Sequence, residues 1–144
     1  MNNKQEIIIN KPREEVWSLF FNYDLLPEWM PSLKSKKNIL GEEGRPGAVT
    51  TFVLEEEGKI NAFKETILKR EDPSTLLVER VSDVAKHTIQ HNFEPLPNES
   101  TLWQIEHTIS YFNYKKYFAL LFKNKLLRRI EKYQASFKAY VESF

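Results

Sequence analysis

The residues best suited to chemistry are three histidines and one glutamate, all in stretches whose apolar residues alternate. His87, His91 and His107 are the chain's only histidines. His87, Ile89, His91 and Phe93 alternate with Lys86, Thr88, Gln90 and Asn92, while Trp103, Ile105, His107, Ile109 and Tyr111 alternate with Gln104, Glu106, Thr108 and Ser110. Alternation of period two puts each first set on one face of a strand. A hairpin closing through the loop from Pro95 to Ser100 makes the two strands antiparallel neighbours. If opposed residues sum to 194, His87 faces His107 and His91 faces Trp103; if they sum to 196, His91 faces Ile105. Both registers bring the imidazoles into one region, since same-face residues two apart on a strand are about 7 Å apart.

Neutral imidazoles in an apolar setting can donate or accept hydrogen bonds to a ligand hydroxyl, carbonyl or carboxylate. The competing expectation is a set of internally bonded histidines. Three imidazoles are also a zinc donor set, but no metal and no cofactor are expected here. Glu65, with Asn61, Phe63 and Ile67 on its face, is the carboxylate that joins the cluster. In a buried setting it needs a donor, either as a structural partner of Arg80 or a histidine, or as a general acid or base beside His107 and His87.

Other chemistries are excluded by what is missing. The chain has no cysteine, which removes thiolate nucleophiles, disulfides and thiolate metal centres. The glycines of Gly41 to Gly47 match no phosphate-binding motif, and no Gly-x-Ser-x-Gly elbow occurs. Glu55, Glu56 and Glu57 read as a solvated hairpin tip.

The elements that must position this cluster follow from the same patterning. Glu6 to Asn10 reads as a first strand. Pro12 opens a helix with apolar Val16, Leu19 and Phe20 and Trp17 at its edge, and Asp24 to Met30 reads as a second short helix. Strands are then expected at Leu33–Leu40, Val49–Glu56, Ile60–Arg70, Thr75–Val81, Ala85–Glu94 and Thr101–Phe112. The last stretch, Asn113 to Phe144, contains no Pro or Gly and reads as one long helix capped by Asn113. Tyr117, Leu120, Leu121, Leu127, Ile130, Phe137 and Val141 form its apolar stripe, widened by Phe118, Phe122, Leu126, Tyr133, Tyr140 and Phe144. So broad a face requires a large partner, and a curved antiparallel sheet supplies one. The expectation is a single α+β domain over residues 1–144.

With 144 residues, the chain is sized for one core. The net charge of +1 conceals a division: residues 1–112 carry 13 basic and 18 acidic side chains, residues 113–144 carry 8 and 2. Lys123, Lys125, Arg128, Arg129 and Lys132 give the terminal helix a basic side, expected to face solvent, with weak contact to an anionic membrane surface as the alternative. Nucleic acid is not expected, because stacking platforms and a reading helix are missing. No leader or spanning segment is evident, so a cytoplasmic location is expected.

Several strings resemble the START-like, polyketide cyclase and dehydrase-related superfamily that includes the birch-pollen-allergen fold. They are Pro12 with Glu15-Val16-Trp17 through Phe20, Leu26-Pro27-Glu28-Trp29-Met30-Pro31, the glycine turn before Val49-Thr50-Thr51-Phe52, and Glu65-Thr66-Ile67 before Glu71-Asp72-Pro73. The resemblance covers nearly the whole chain. It implies a helix-grip fold: a bent seven-stranded antiparallel sheet around a long C-terminal helix, with two short helices after the first strand, enclosing a cavity for a small hydrophobic molecule. Cyclase or dehydrase chemistry through cavity His and Glu residues is the implied alternative, and a protein-interaction or chaperone-associated module the third. On this basis Trp29, Met30, Phe63, Glu65, His87, His91, Trp103, His107 and Tyr111, joined from the helix by Leu121, Ile130 and Phe137, are expected to line the cavity.

Overall fold

The computed structural model describes residues 2–112 and 119–144, with the side chains of residues 119–122 excepted. The expected cap Asn113, the aromatics Tyr117 and Phe118, and the side chains of Leu120, Leu121 and Phe122 therefore lie outside the described set.

The elements run in the expected order. Strand β1 (Asn2–Ile9) is followed by α1 (Arg13–Phe20), a single 3-10 turn (Tyr23–Leu25) and α2 (Leu26–Trp29). Strands β2 (Leu33–Leu40), β3 (Val49–Glu56), β4 (Lys59–Glu71), β5 (Thr75–Val81), β6 (Ala85–Leu96) and β7 (Ser100–Tyr111) then lead to α3 (Ala119–Glu142). All seven strands form one antiparallel sheet in the order β1-β7-β6-β5-β4-β3-β2, a meander whose last strand pairs with the first. The first strand begins earlier than its apolar run suggests, because Asn2 to Gln5 also pair along β7.

Turn chemistry fixes the registers. Glu57 and Gly58 both have positive φ and join the paired residues Glu56 and Lys59, the left-handed two-residue turn that matches strand twist. Between β6 and β7 the expected loop from Pro95 to Ser100 is shorter: Pro95 pairs with Thr101 and Leu96 with Ser100, leaving Pro97, Asn98 and Glu99 as the turn. Asn98 and Glu99 take the positive φ there. Strand β5 reaches only Asn92 on its neighbour, so Pro95 sits on a stretch of β6 that is locally an edge, where a missing N–H is tolerated.

The concave face holds the core at one end. Phe20 is its hub, with its ring against Trp29, Phe93, Trp103 and Phe137 at centroid distances of 5.4 to 6.2 Å. Trp29, Trp103, Phe93, Phe137, Ile9 and Val141 are all at most 2% exposed. Trp17, expected at an edge, is buried too, packed on Phe21 and Phe93. The second half of α3 is pinned here. Gln134 donates to the Trp103 carbonyl, Ser136 to the Trp29 carbonyl and Lys138 to the Ile8 carbonyl, while Glu142 accepts from the Asn10 backbone N–H. Among the described residues the first half of the helix is tied by Gln5 to the Leu127 carbonyl and by an Arg129–Glu56 ion pair. One end of the helix is thus bolted to the core, and the other spans open space.

Thr101 illustrates how polar groups are satisfied in this core. It is fully buried, and its hydroxyl donates to the Lys11 carbonyl at 2.7 Å. Thr101→Val is expected to cost about 1 kcal/mol, read as a lower urea midpoint at unchanged slope, because the carbonyl loses its partner while shape is kept.

Candidate functional site

Register turns the alternating strands into lateral rows on the concave face. One row runs Thr50, Glu65, Arg80, His87 and Ile109 across five strands. The next runs Ile67, Val78, Ile89 and His107, and a third Leu76, His91 and Ile105. The register is therefore the one summing to 196. His87 and His107 are diagonal neighbours, not opposed, and the diagonal still joins His87 Nδ1 to His107 Nε2 at 2.7 Å with rings 4.8 Å apart.

Beneath the middle of α3, residues 125–136, these rows line a cavity of about 490 Å³. Eight of the twelve residues expected at its wall are there: Trp29, Met30, Phe63, Glu65, His87, His91, His107 and Ile130. Leu121 lies outside the described side chains. The other three stand elsewhere. Trp103 and Phe137 are fully buried in the aromatic core that closes the cavity's end, and Tyr111 lies at the far end of β7, off the wall. Alternation identifies a strand's face, but position along the strand decides whether that face meets helices or open space.

Sequence reasoning left out Arg80, Tyr133, Tyr23 and Phe52 from the wall, although all four line it. The signal for Arg80 is the alternation Leu76, Val78, Arg80, which carries a guanidinium onto the same face as two buried aliphatics. Tyr133 is three residues from Ile130 and four from Phe137, on the same side of α3. The hairpin Glu56-Glu57 was expected to be a solvated tip. Glu55 and Glu57 are exposed there, and Glu56 and Glu57 also border the cavity mouth, as do Lys125, Arg128, Arg129 and Lys132 on the exposed basic side of α3.

Glu65 has the partner that burial demands. Arg80 Nε donates to Glu65 Oε2 at 2.6 Å, and the guanidinium lies over the Phe63 ring at 4.7 Å. Burial opposes the Arg80 charge, but the Glu65 carboxylate and the Tyr133 hydroxyl outweigh it, so the net shift is upward. Burial and then Glu65 push the Tyr23 hydroxyl up, and burial chiefly does the same to Tyr133, so both remain neutral phenols.

The histidines are neutral for the converse reason. Burial, then Arg80 and Arg129, lower His87 to about 4. Burial and Arg80 lower His91 to about 3. Burial, His87 and Arg80 lower His107 to about 3. A neutral imidazole carries one N–H, so the His87–His107 contact uses one proton, and of the two outer nitrogens one donates while the other accepts. His91 is fixed more tightly. Its Nδ1 accepts from the Trp103 indole at 3.2 Å, which places its proton on Nε2. Two further polar atoms of wall residues are buried without a partner, Trp29 Nε1 and His107 Nδ1.

The arrangement is thus an apolar cavity with a neutral hydrogen-bonding pair, an internally paired ion couple and a basic mouth. Among the described residues no group of three His, Asp or Glu side chains is set to hold a metal ion.

Fold and cavity together define a helix-grip protein with an internal cavity. The chain belongs to the family described as polyketide cyclase / dehydrase and lipid transport, whose model matches residues 3–142. Among solved structures it is similar to a START superfamily protein from Mycobacterium smegmatis, with 16% identity, coverage of 99% of this chain and 97% of that one, and a TM-score of 0.82. The Zhui aromatase/cyclase from Streptomyces sp. R1128 gives 13% identity, 99% and 93% coverage and a TM-score of 0.81. Ara h 8.0201 gives 15% identity, 100% and 99% coverage and a TM-score of 0.80. At these identities the likeness is one of fold. A search of curated proteins finds no match. Families of this fold are associated with binding small hydrophobic ligands in an internal cavity.

Proposed function

We propose that this protein binds and carries a small, largely apolar molecule in the chamber beneath α3, and that His87, His107 and the Arg80–Glu65 pair orient its polar end. The observation that carries this reading is the cavity of about 490 Å³, within the range of small-molecule sites, in which aliphatic and aromatic walls surround a few convergent polar groups. Binding is driven by apolar area removed from water, and orientation by hydrogen bonds to groups held in place by their own partners.

Native mass spectrometry of gently purified protein is the test. A stoichiometric adduct that organic solvent releases is expected, and Leu54→Trp, which fills the chamber from β3, is expected to lose it while keeping the fold. An adduct retained equally by the filled variant would place the ligand elsewhere and defeat the proposal.

A second reading draws on the shared proton of His87 and His107. Such a pair can take a proton at one outer nitrogen as it gives one at the other, the action that cyclisation or dehydration of a bound polyketide requires. Glu65 is less suited to that work because Arg80 already occupies it. The same spectra, with the released molecule also run against its standard by chromatography, distinguish the readings: a carried molecule keeps its mass and retention time, whereas a substrate loses one water on dehydration or shifts retention on cyclisation with the native protein and not with His107→Gln.

A further inference from the structure

The mouth of the chamber carries more positive charge than its partners neutralise. It opens between the β3–β4 hairpin and the turns of α3 around residues 125–132. Five cationic side chains border it, Lys59, Lys125, Arg128, Arg129 and Lys132, against two carboxylates, Glu56 and Glu57. Arg129 pairs with Glu56 at 3.3 Å. Lys59, Lys125, Arg128 and Lys132 have no ion pair among the described residues. Deeper in, Arg80 and Glu65 cancel each other, and the three histidines are neutral.

A helix laid over an apolar chamber has no packing need for four unpaired cations at the entrance. Their mutual repulsion is unfavourable, and it is relieved when an anion enters among them. The field also reaches inward, since Arg129 of the mouth contributes to lowering His87. An amine or ammonium ligand would be repelled at this entrance.

Size narrows the class further. We propose that the ligand is an acid, an apolar body of roughly fifteen heavy atoms, taking each to need about the volume of a water molecule, with one carboxylate, phosphate or sulfate group. The acidic group sits at the mouth between Lys59 of the hairpin and Lys125, Arg128 and Lys132 of α3. The apolar body points inward toward Phe52, Phe63 and Ile89. A two-chain phospholipid is too large for this volume. The inference rests on the apolar-chamber reading above and adds the ligand's charge to it.

The test is a matched series sharing one ten-carbon tail, decanoate, decanol and decyltrimethylammonium, titrated against the intrinsic fluorescence to which Trp29 in the wall contributes. Decanoate is expected to bind about tenfold more tightly than decanol, with the ammonium compound weakest, and added salt is expected to narrow the gap. In the Arg128→Gln, Lys132→Gln double variant the decanoate-to-decanol ratio is expected to fall to near one. Equal binding of decanoate and decanol to the native protein would overturn the acid assignment while leaving the apolar chamber intact. A decanoate preference unchanged in the double variant would overturn the placement of the acidic group at the mouth. If none of the three binds, the chamber reading falls together with this one.

Discussion

Acidification is expected to unfold this protein through its three buried histidines. His87, His91 and His107 have folded-state values of about 4, 3 and 3, against an ordinary value of 6.5. Each is depressed, first by burial and then by cationic or imidazole neighbours, so below pH 6.5 the unfolded chain binds protons that the folded chain refuses. Stability is therefore fully present above the unfolded value and is lost as pH falls from 6.5 toward 4. With three such groups the slope approaches about 4 kcal/mol per pH unit near pH 5. A domain holding about 5–15 kcal/mol in total cannot withstand that for long. Urea midpoints measured from pH 8 to 4.5 should be flat above 7 and drop steeply below 6. His91→Gln should reduce the slope by about one third, because it removes one of the three protons. A midpoint that does not change between pH 6.5 and 5 would show that the folded protein accepts these protons, and that the imidazoles are not held neutral by their surroundings.

Much of the placement behind that prediction is legible in the sequence. Period two in β6 and β7 assigns all three histidines to one face, and the same logic puts Glu65 and Ile67 there. The register was not legible, because it depends on where the hairpin closes. Sums of 194 and 196 both fit the alternation; Pro95 reads as the start of a loop, but on a stretch without a β5 neighbour it continues the strand and pairs with Thr101, which is the sum of 196. The difference between those two registers separates a directly opposed His87 and His107 from the diagonal contact that the structure shows. Trp103 and Phe137 went astray for another reason. Their spacing defines a face correctly, whereas the depth of α1 and α2 beneath α3 decides which end of the face is core. Arg80 reads as a partner for Glu65, which the structure shows, and its place on the wall follows from the register that sets it opposite Glu65.

The division of charge along the chain also acquires a physical meaning from the fold. The acidic first part and the basic last part meet at the mouth, whereas the chamber floor is neutralised within the first part. Inside, Glu65 meets Arg80 from the sheet itself, so the helix is not needed to neutralise the chamber floor. At the mouth Glu56 meets Arg129 from α3, and that pair is the one ion pair joining helix and hairpin among the described residues. The basic surplus of the helix is then concentrated around an opening.

Those two ion pairs should respond very differently to substitution. Arg80→Met is expected to cost about 3 kcal/mol of folding free energy, because it leaves the Glu65 carboxylate buried without its cation. Glu65 keeps only 10% of its side-chain surface exposed and Arg80 25%, which puts the cost at the lower end for a broken interior pair. In Arg80→Met, Glu65→Gln most of that loss should return, since the remaining groups are neutral and an aliphatic chain can pack on Phe63 where the guanidinium lay. At the mouth Arg129 and Glu56 are 42% and 39% exposed, and Arg129→Gln should change stability by no more than about 0.5 kcal/mol. Urea unfolding of the four proteins at neutral pH decides the matter, with the double variant supplying the coupling term. If Arg80→Met costs no more than Arg129→Gln, water reaches Glu65 freely and the chamber floor is not the low-dielectric surface on which the neutral histidines depend. If the predicted order holds, the ion pair is part of what keeps the floor dry, and a ligand above it meets hydrogen-bonding groups whose charges are already balanced.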